Sequence, residues 1–439
     1  MVGGRIIIQT ILLSFLITHG LFAQKEQEDT TKVISPVEQL KYKQQPGLAL
    51  AASKIFFSEK RYSISGFGEF NYIPYQRGIS SELGDLELYY SGLYRYATFF
   101  GYRLTDNIIW NSEFQIELLH EGLNEVDHEI VVEAFFDFMI TDYFNARLGF
   151  YPLTIGYVNN NDEPVMFHSV NRSDVERIIT PSTWIEFGTM FYGSITDNWS
   201  YALGLSQGLN SANYLSGTWI RQGREIRFDI PNSISVNPQL NYTGIKNLTL
   251  SASGYFGNSG QGDEVNINGQ VAEVDATIQL GTAYAKYDWK NFRFITVGAY
   301  GRLSDTEKIF HQTESTLGAG QVLGNEVFGY LFEAGCNILP YFRKGKTIKG
   351  KRNWFWDNQE LKLTVFSRYE RLNTHYGLSN SLVMQPRIEN DLDIFTAGFN
   401  FNTRENIVFK ANYRNIRNRY SGDPNPIKHL FELGFGFIF

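Results

Sequence analysis

From Arg61 onward the sequence breaks into segments of about ten residues in which apolar and polar side chains alternate. These are joined in turn by very short and by long polar connections. A strand sends successive side chains to opposite faces, so a period of two gives one apolar and one polar face. In IIWNSEFQIEL, Trp110, Phe114, Ile116 and Leu118 stand against Asn111, Glu113, Gln115 and Glu117. HEIVVEAFFDFMI sets Ile130, Val132, Ala134, Phe136 and Phe138 against Glu129, Glu133 and Asp137. ELKLTVFSRYE sets Leu361, Leu363 and Val365 against Lys362, Thr364, Arg368 and Glu370. Many segments outrun the roughly five or six residues usual in soluble sheets. Long alternating strands with short turns on one side and long loops on the other are the pattern of a transmembrane antiparallel β-barrel.

The short turns are TDN at 105–107, TDY at 141–143, TDN at 196–198, IKN at 245–247, WKN at 289–291 and TRE at 403–405. Asp and Asn suit such turns because they bond nearby backbone and tolerate left-handed conformations. Strands are expected near 61–72, 85–104, 108–120, 128–140, 144–151, 183–195, 198–208, 233–243, 247–257, 273–288, 291–303, 326–339, 359–371, 391–402, 405–415 and 427–439. That makes about sixteen, an even number, as single-chain bacterial barrels require. The connection 340–358 breaks the pattern by being long on the short-turn side.

The rest of the chain is consistent with export. Arg5 and the apolar run IIIQTILLSFLIT lead to Ala23, so residues 1–23 read as a signal peptide. Residues 24–60 begin QKEQEDTTKVISPVEQLKYKQQPG and read as a loose polar periplasmic leader, leaving 61–439 as the barrel. Beyond the signal no apolar run reaches about 18 residues, so a closed barrel is the available way to span a membrane. Cys336 is the single cysteine, which excludes an intramolecular disulfide and a thiolate zinc site. The net charge of −7 argues against nucleic acid as a partner.

A lipid-facing charge costs roughly 2–4 kcal/mol for Arg or Lys at the midplane, so the charges on the polar face should point into the lumen. Arg95, Arg103, Glu113, Glu117, Glu129, Glu133, Asp137 and Arg147 are therefore expected on the inner wall, acid beside base, with Lys410 and Arg414 further on. They are candidates either for wall-stabilising pairs or for the charges of a water-filled pore. The third long connection, 152–182, carries Val165, Met166, Phe167, Val170, Ile178 and Ile179. These need a place to bury, and the lumen offers one. An inward-folded loop is expected, bringing Asp162, Glu163, Arg172, Asp174, Glu176 and Arg177 toward the pore centre as constriction candidates; the alternative is an extracellular cap packed on the rim.

The block NDEPVMFHSVNRSDVERIITPSTWIEFGTMFYG at 161–193 resembles one found in Bacteroidetes outer-membrane porins of the phosphate-selective O/P type. The matching residues are Glu163, Pro164, Phe167, Arg172, Val175, Glu176, Pro181, Ser182, Thr183, Trp184, Glu186 and Gly188. Asp162 stands where those porins usually have His. ISGFGEFNY at 64–72, EFQIELLHEG at 113–122 and FSRYERLNT at 366–374 are similar to further blocks. The resemblance implies a sixteen-stranded porin, commonly a homotrimer. It does not carry phosphate selectivity, because no concentrated ladder of Arg and Lys matches. Arg221, Arg224 and Arg227 in WIRQGREIRF are candidates for gathering anions at the mouth, opposed by Glu225 and Asp229.

Other chemistry finds little support. His120 and His128 flank a connection without an evident third ligand, and there is no G-x-S-x-G elbow or phosphate loop. No metal, cofactor or enzyme activity is expected. The sequence thus points to an outer-membrane porin passing small hydrophilic solutes or inorganic ions. The alternative is a non-conducting barrel that serves as a binding or assembly partner, its lumen plugged by the long loop and the leader. In the final FELGFGFIF, Phe431, Leu433, Phe435, Phe437 and Phe439 fall on one face, toward lipid. Phe439 resembles the signal through which bacterial barrel-assembly machinery recognises its clients.

Overall fold

The computed structural model describes residues 45–73, 92–121, 125–225, 232–343 and 360–439, without the side chains of 92–93, 119–121 and 125–129. The signal, residues 24–44 of the leader, Arg227, the side chains of Glu129, His120 and His128, and residues 344–359 lie outside this description.

Sixteen antiparallel strands close into one barrel. They are β1 (Tyr62–Tyr72), β2 (Gly92–Arg103), β3 (Ile108–Glu121), β4 (Glu125–Phe138), β5 (Asn145–Pro152), β6 (Ile185–Thr196), β7 (Trp199–Gln207), β8 (Ile234–Tyr242) and β9 (Leu248–Gly257). After a small hairpin, β10 (Glu264–Ile267) and β11 (Gln270–Glu273), come β12 (Ile278–Trp289), β13 (Phe292–Leu303) and β14 (Glu326–Asn337). β15 (Lys362–Gly377), β16 (Asp391–Arg404), β17 (Ile407–Asn418) and β18 (Ile427–Ile438) complete the wall. Each barrel strand pairs with its neighbour in sequence, β9 with β12, and β18 returns to β1 with Phe67 opposite Ile438 and Tyr72 opposite Leu433. The hairpin and a helix, Thr306–Leu317, fold within connections that the sequence reading treats as plain loops.

The faces separate by parity, as expected. Ile130, Val132, Phe136, Val365, Phe395, Phe399, Phe431 and Leu433 are exposed on the outside, while Asn111, Gln115, Glu133, Asp137, Arg368, Glu370 and Glu432 are buried on the inside. An apolar skin around a polar interior is the arrangement a bilayer demands, because lipid offers no partner for a polar group.

In three of the tight turns a threonine beside the Asp and Asn singled out in the sequence holds the backbone. Thr105 Oγ1 accepts from the backbone N–H of Asn107 and Ile108, at 3.3 and 3.0 Å. Thr141 and Thr196 repeat the arrangement with Tyr143 and Phe144, and with Asn198 and Trp199. Where Thr is absent, Asn247 and Lys290 take a positive φ of 64° and 54°.

Residues 45–57 depart from the expectation of a loose leader. Leu48, Ala51, Ala52 and Ile55 are buried, and Lys54–Phe57 forms one helical turn against β1, β2 and β3. The run GLALAASKIFF is apolar and rich in small residues, and it buries against the wall.

The parity makes a direct prediction. Leu433→Arg, on the outer face near mid-strand, should destabilise the barrel by about 2–4 kcal/mol in a bilayer, read from urea unfolding in lipid vesicles.

Candidate functional site: the lumen and the segments inside it

The segment between β5 and β6 enters the barrel because its own sequence makes it compact and apolar. Leu153, Ile155, Tyr157, Val158, Phe167, Val170, Val175, Ile178 and Ile179 are buried, while Val165 and Met166 are half-buried. Glu176 ties the segment to itself, accepting the backbone N–H of Tyr157 and of Val158 at 2.5 and 2.8 Å. Gly156 makes this possible: its φ is +72°, and a Cβ there would lie 2.8 Å from Glu176 Oε1. Trp184, in the motif that ends the segment, is buried and packs on Tyr255 with ring centroids 4.4 Å apart.

Inner-wall glycines receive the inserted side chains. A Cβ at Gly329 would meet Val175 at 2.8 Å, at Gly335 the His168 ring at 2.6 Å, at Gly434 Val170 at 3.1 Å, and at Gly436 Pro164 at 2.5 Å. Each missing side chain on the wall is thus a socket for one on the loop.

Charges of the segment meet charges of the wall. Arg95 on β2 lies 3.2 Å from Asp162 and 3.2 Å from Glu69 on β1. Arg172 approaches the same Asp162 at 3.6 Å and donates to Thr183 Oγ1. Asp174 takes Arg177 at 2.8 Å and Arg414 of β17, which also reaches Glu432 at 3.3 Å. Lys410 donates to the carbonyls of Phe167 and Ser169 at 2.9 and 2.8 Å, with its ammonium 3.8 Å from the Phe167 ring centroid. Asp137 and Arg147 pair at 3.0 Å across β4 and β5, joined by the Tyr192 hydroxyl at 2.7 Å.

The acid-beside-base arrangement expected along strands 2–5 is only partly present. The register sets Arg95 opposite Glu117 and Asp137 opposite Arg147. It also sets Glu113 opposite Glu133, acid facing acid. Arg103 faces Ile109 across the register and spends its guanidinium on the carbonyls of Ile55 and Phe56, at 3.0 and 2.9 Å. Parity tells which face a residue takes; which residue stands opposite depends on register, and that is set by the turns.

Glu163 has a task the sequence does not reveal. Its two oxygens accept the backbone N–H of Leu50 and Ala51, at 3.0 and 2.7 Å. Burial pushes its carboxyl up to about 7, against the pull of those two donors. Glu176, outside the spanning strands like Glu163, is pushed to about 7 by burial against the same kind of opposition.

Arg221 and Arg224 turn inward to the loop. Arg221 donates to the carbonyls of Arg177 and Ser182, and Arg224 to those of Ser182 and Thr183. This pins the end of the inserted segment.

The sequence reading passed over a second cluster, although parity could have found it. His168 Nδ1 lies 2.6 Å from Glu333 on β14, and Arg368 on β15 lies 3.5 Å from Glu333 and 2.7 Å from Glu370. Glu370 in turn accepts the backbone N–H of Val175 at 3.2 Å. Arg368 and Glu370 were already visible as the polar face of their strand.

Open space remains at the short-turn end. A cavity of about 430 Å³ is lined by His168, Arg293, Lys362, Asn400, Val165 and Met166, among others. A further cavity, between Tyr157, Phe167, Glu333 and Arg368, holds about 20 Å³.

No family model matches the chain. It is 27% identical over 379 residues to an uncharacterised protein of Aquifex aeolicus, covering 85% of this chain and 79% of that one. Among solved structures it is similar to the outer-membrane channel DcaP of Acinetobacter baumannii, with a TM-score of 0.52 at 10% identity over 86% of this chain and 97% of that one. OmpF of Salmonella typhi, in complex with daunomycin, gives 0.51 at 10% identity over the same shares. At this identity the likeness is one of fold. The chain is a closed sixteen-stranded antiparallel barrel, the fold that these outer-membrane proteins share.

Two outcomes are expected from this geometry. Arg414→Met leaves Asp174 and Glu432 buried without their shared guanidinium, and should cost about 3–5 kcal/mol in chemical unfolding. Glu163 and Glu176 hold protons in the folded state that an unfolded carboxyl, near 4.5, has already released. Their contribution to stability is therefore fully present below pH 4.5 and lost as pH rises through about 7. Glu163→Gln should flatten unfolding free energy against pH within that window.

Proposed function

We propose that this barrel is a passive outer-membrane channel for small hydrophilic solutes or ions, not an enzyme, and that residues 152–182 are its constriction. The observation that carries the reading is the meeting of wall and loop charges across the lumen, Arg95 with Asp162 and Arg414 with Asp174. A wall lined by Arg95, Arg103, Glu113, Glu117, Glu133, Asp137, Arg147, Lys410 and Arg414 would set the field felt by a passing solute. Asp162, Glu163, Arg172, Asp174, Glu176 and Arg177 would set it at the narrowest level. Kinship with the phosphate-selective O/P porins, and a homotrimer, belong to the same proposal and rest on the motif at 161–193.

One observation favours the second reading, a barrel that does not conduct. Arg95 is 1% exposed, Arg147 0% and Arg414 3%, so these wall charges are covered by the inserted segments rather than presented to a passing solute.

Planar-bilayer recording separates the two. Purified protein should give reproducible channels, and deletion of 159–177 should raise their conductance. An unchanged conductance removes the constriction, and the absence of channels from both proteins supports the non-conducting barrel. Reversal potentials in a salt gradient then give the ion preference.

A further inference from the structure

We infer that the lumen contains a polypeptide-binding site that reads main chain, and that residues 46–57 are its tethered, exchangeable occupant. The site is built from wall and loop together. Arg147 donates to the carbonyl of Pro46 at 2.7 Å, Ser65 to that of Ala51 at 2.7 Å, and Asn111 to that of Ala52 at 2.9 Å. Arg103 donates to the carbonyls of Ile55 and Phe56. On the opposite side Asn160 accepts from the N–H of Gly47 at 3.1 Å, and Glu163 accepts from Leu50 and Ala51. Eight bonds thus go to peptide groups, which every polypeptide carries.

Side chains add shape, and Lys54 adds a bond from its ammonium to the carbonyl of Ile64 at 3.1 Å. Ile55 sits where a Cβ at Gly101 would be 2.5 Å from its own Cβ. Ala51 and Ala52 are small where the wall comes close, and both are buried. Gly47 is required by conformation: its φ is +71° and a Cβ there would lie 2.6 Å from the carbonyl oxygen of Pro152. Backbone donors and acceptors arranged along an extended or turning segment, with shallow pockets for small apolar side chains, are the general grammar of peptide recognition. The ligand class is a short polypeptide of small and apolar residues, and the chain supplies one in cis. A tethered ligand competes at high effective concentration, so a free peptide binds well only after the tether is weakened.

The site can be emptied without touching its walls. In the full-length chain Gly47→Val disturbs only the occupant, and Ile55→Asp does so independently. Release is read by maleimide labelling of Ala52→Cys in a Cys336→Ser background, with the barrel checked by heat-modifiable gel mobility. Labelling should accelerate at least tenfold in both variants. A fluorescent synthetic peptide of residues 45–57 should then bind each variant at least tenfold more tightly than the parent protein. The same peptide methylated on the amide nitrogens of Leu50 and Ala51 should lose at least tenfold. Unchanged labelling makes the segment a fixed part of the wall and overturns the inference. Release without peptide binding, or equal binding of the methylated peptide, overturns it as well. These readouts are binding measurements, so they stand or fall separately from conduction.

Discussion

Everything in this structure depends on satisfying peptide hydrogen bonds where no water can help. A strand in lipid must give each N–H and C=O to a neighbour, and the last strand must give its own to the first. The seam of β1 with β18 meets that requirement, with Gly66 and Phe439 exchanging backbone bonds in both directions, at 3.0 and 2.9 Å. Once the ring is closed, each side chain has two choices, lipid or lumen, and the period of two allots them. The outside takes the Phe, Leu, Ile and Val; the inside inherits the charges.

Those charges would be costly to enclose in a small space unless they met partners. The lumen supplies them by bringing in chain from two directions. The segment between β5 and β6 offers carboxylates to Arg95 and Arg414 and carbonyls to Lys410. The stretch before β1 offers carbonyls to Arg103, Asn111 and Arg147. A buried ion pair is a poor source of stability in itself, but losing one partner is expensive. The wall and its contents therefore hold one another in place, and specificity of fit is what the charges contribute.

Much of this was legible in the sequence, and the boundary is physical. Strand number, face and turn positions follow from alternation and polarity, because lipid offers no partner for a polar group. The burial of 152–182 follows from its apolar residues having nowhere else to go. What alternation cannot convey is pairing. Glu113 opposite Glu133 and Arg103 bonded to backbone carbonyls depend on register and on a segment distant in sequence. The apolar run at 47–57 was read by the polarity of what precedes it, and its burial was missed. Glycines such as Gly329, Gly335 and Gly436 look like flexible points in a strand, yet here they are sockets.

The partners of the third loop carry one more consequence. Val170 bonds Asn412, 242 residues later, and Asn171 bonds Glu432, 261 residues later. A loop that leaves the wall after its fifth strand thus fastens to strands that come at the very end. Contacts of such separation form late, since chain entropy must first be lost. When the early hairpins have paired, this loop can meet Arg95 on β2 through Asp162, but its partners on β17 and β18 are still absent. The tube must curl round and its last hairpin must arrive before the loop's remaining bonds can form, so the interior is fastened in two stages, first to the early strands and then to the late ones.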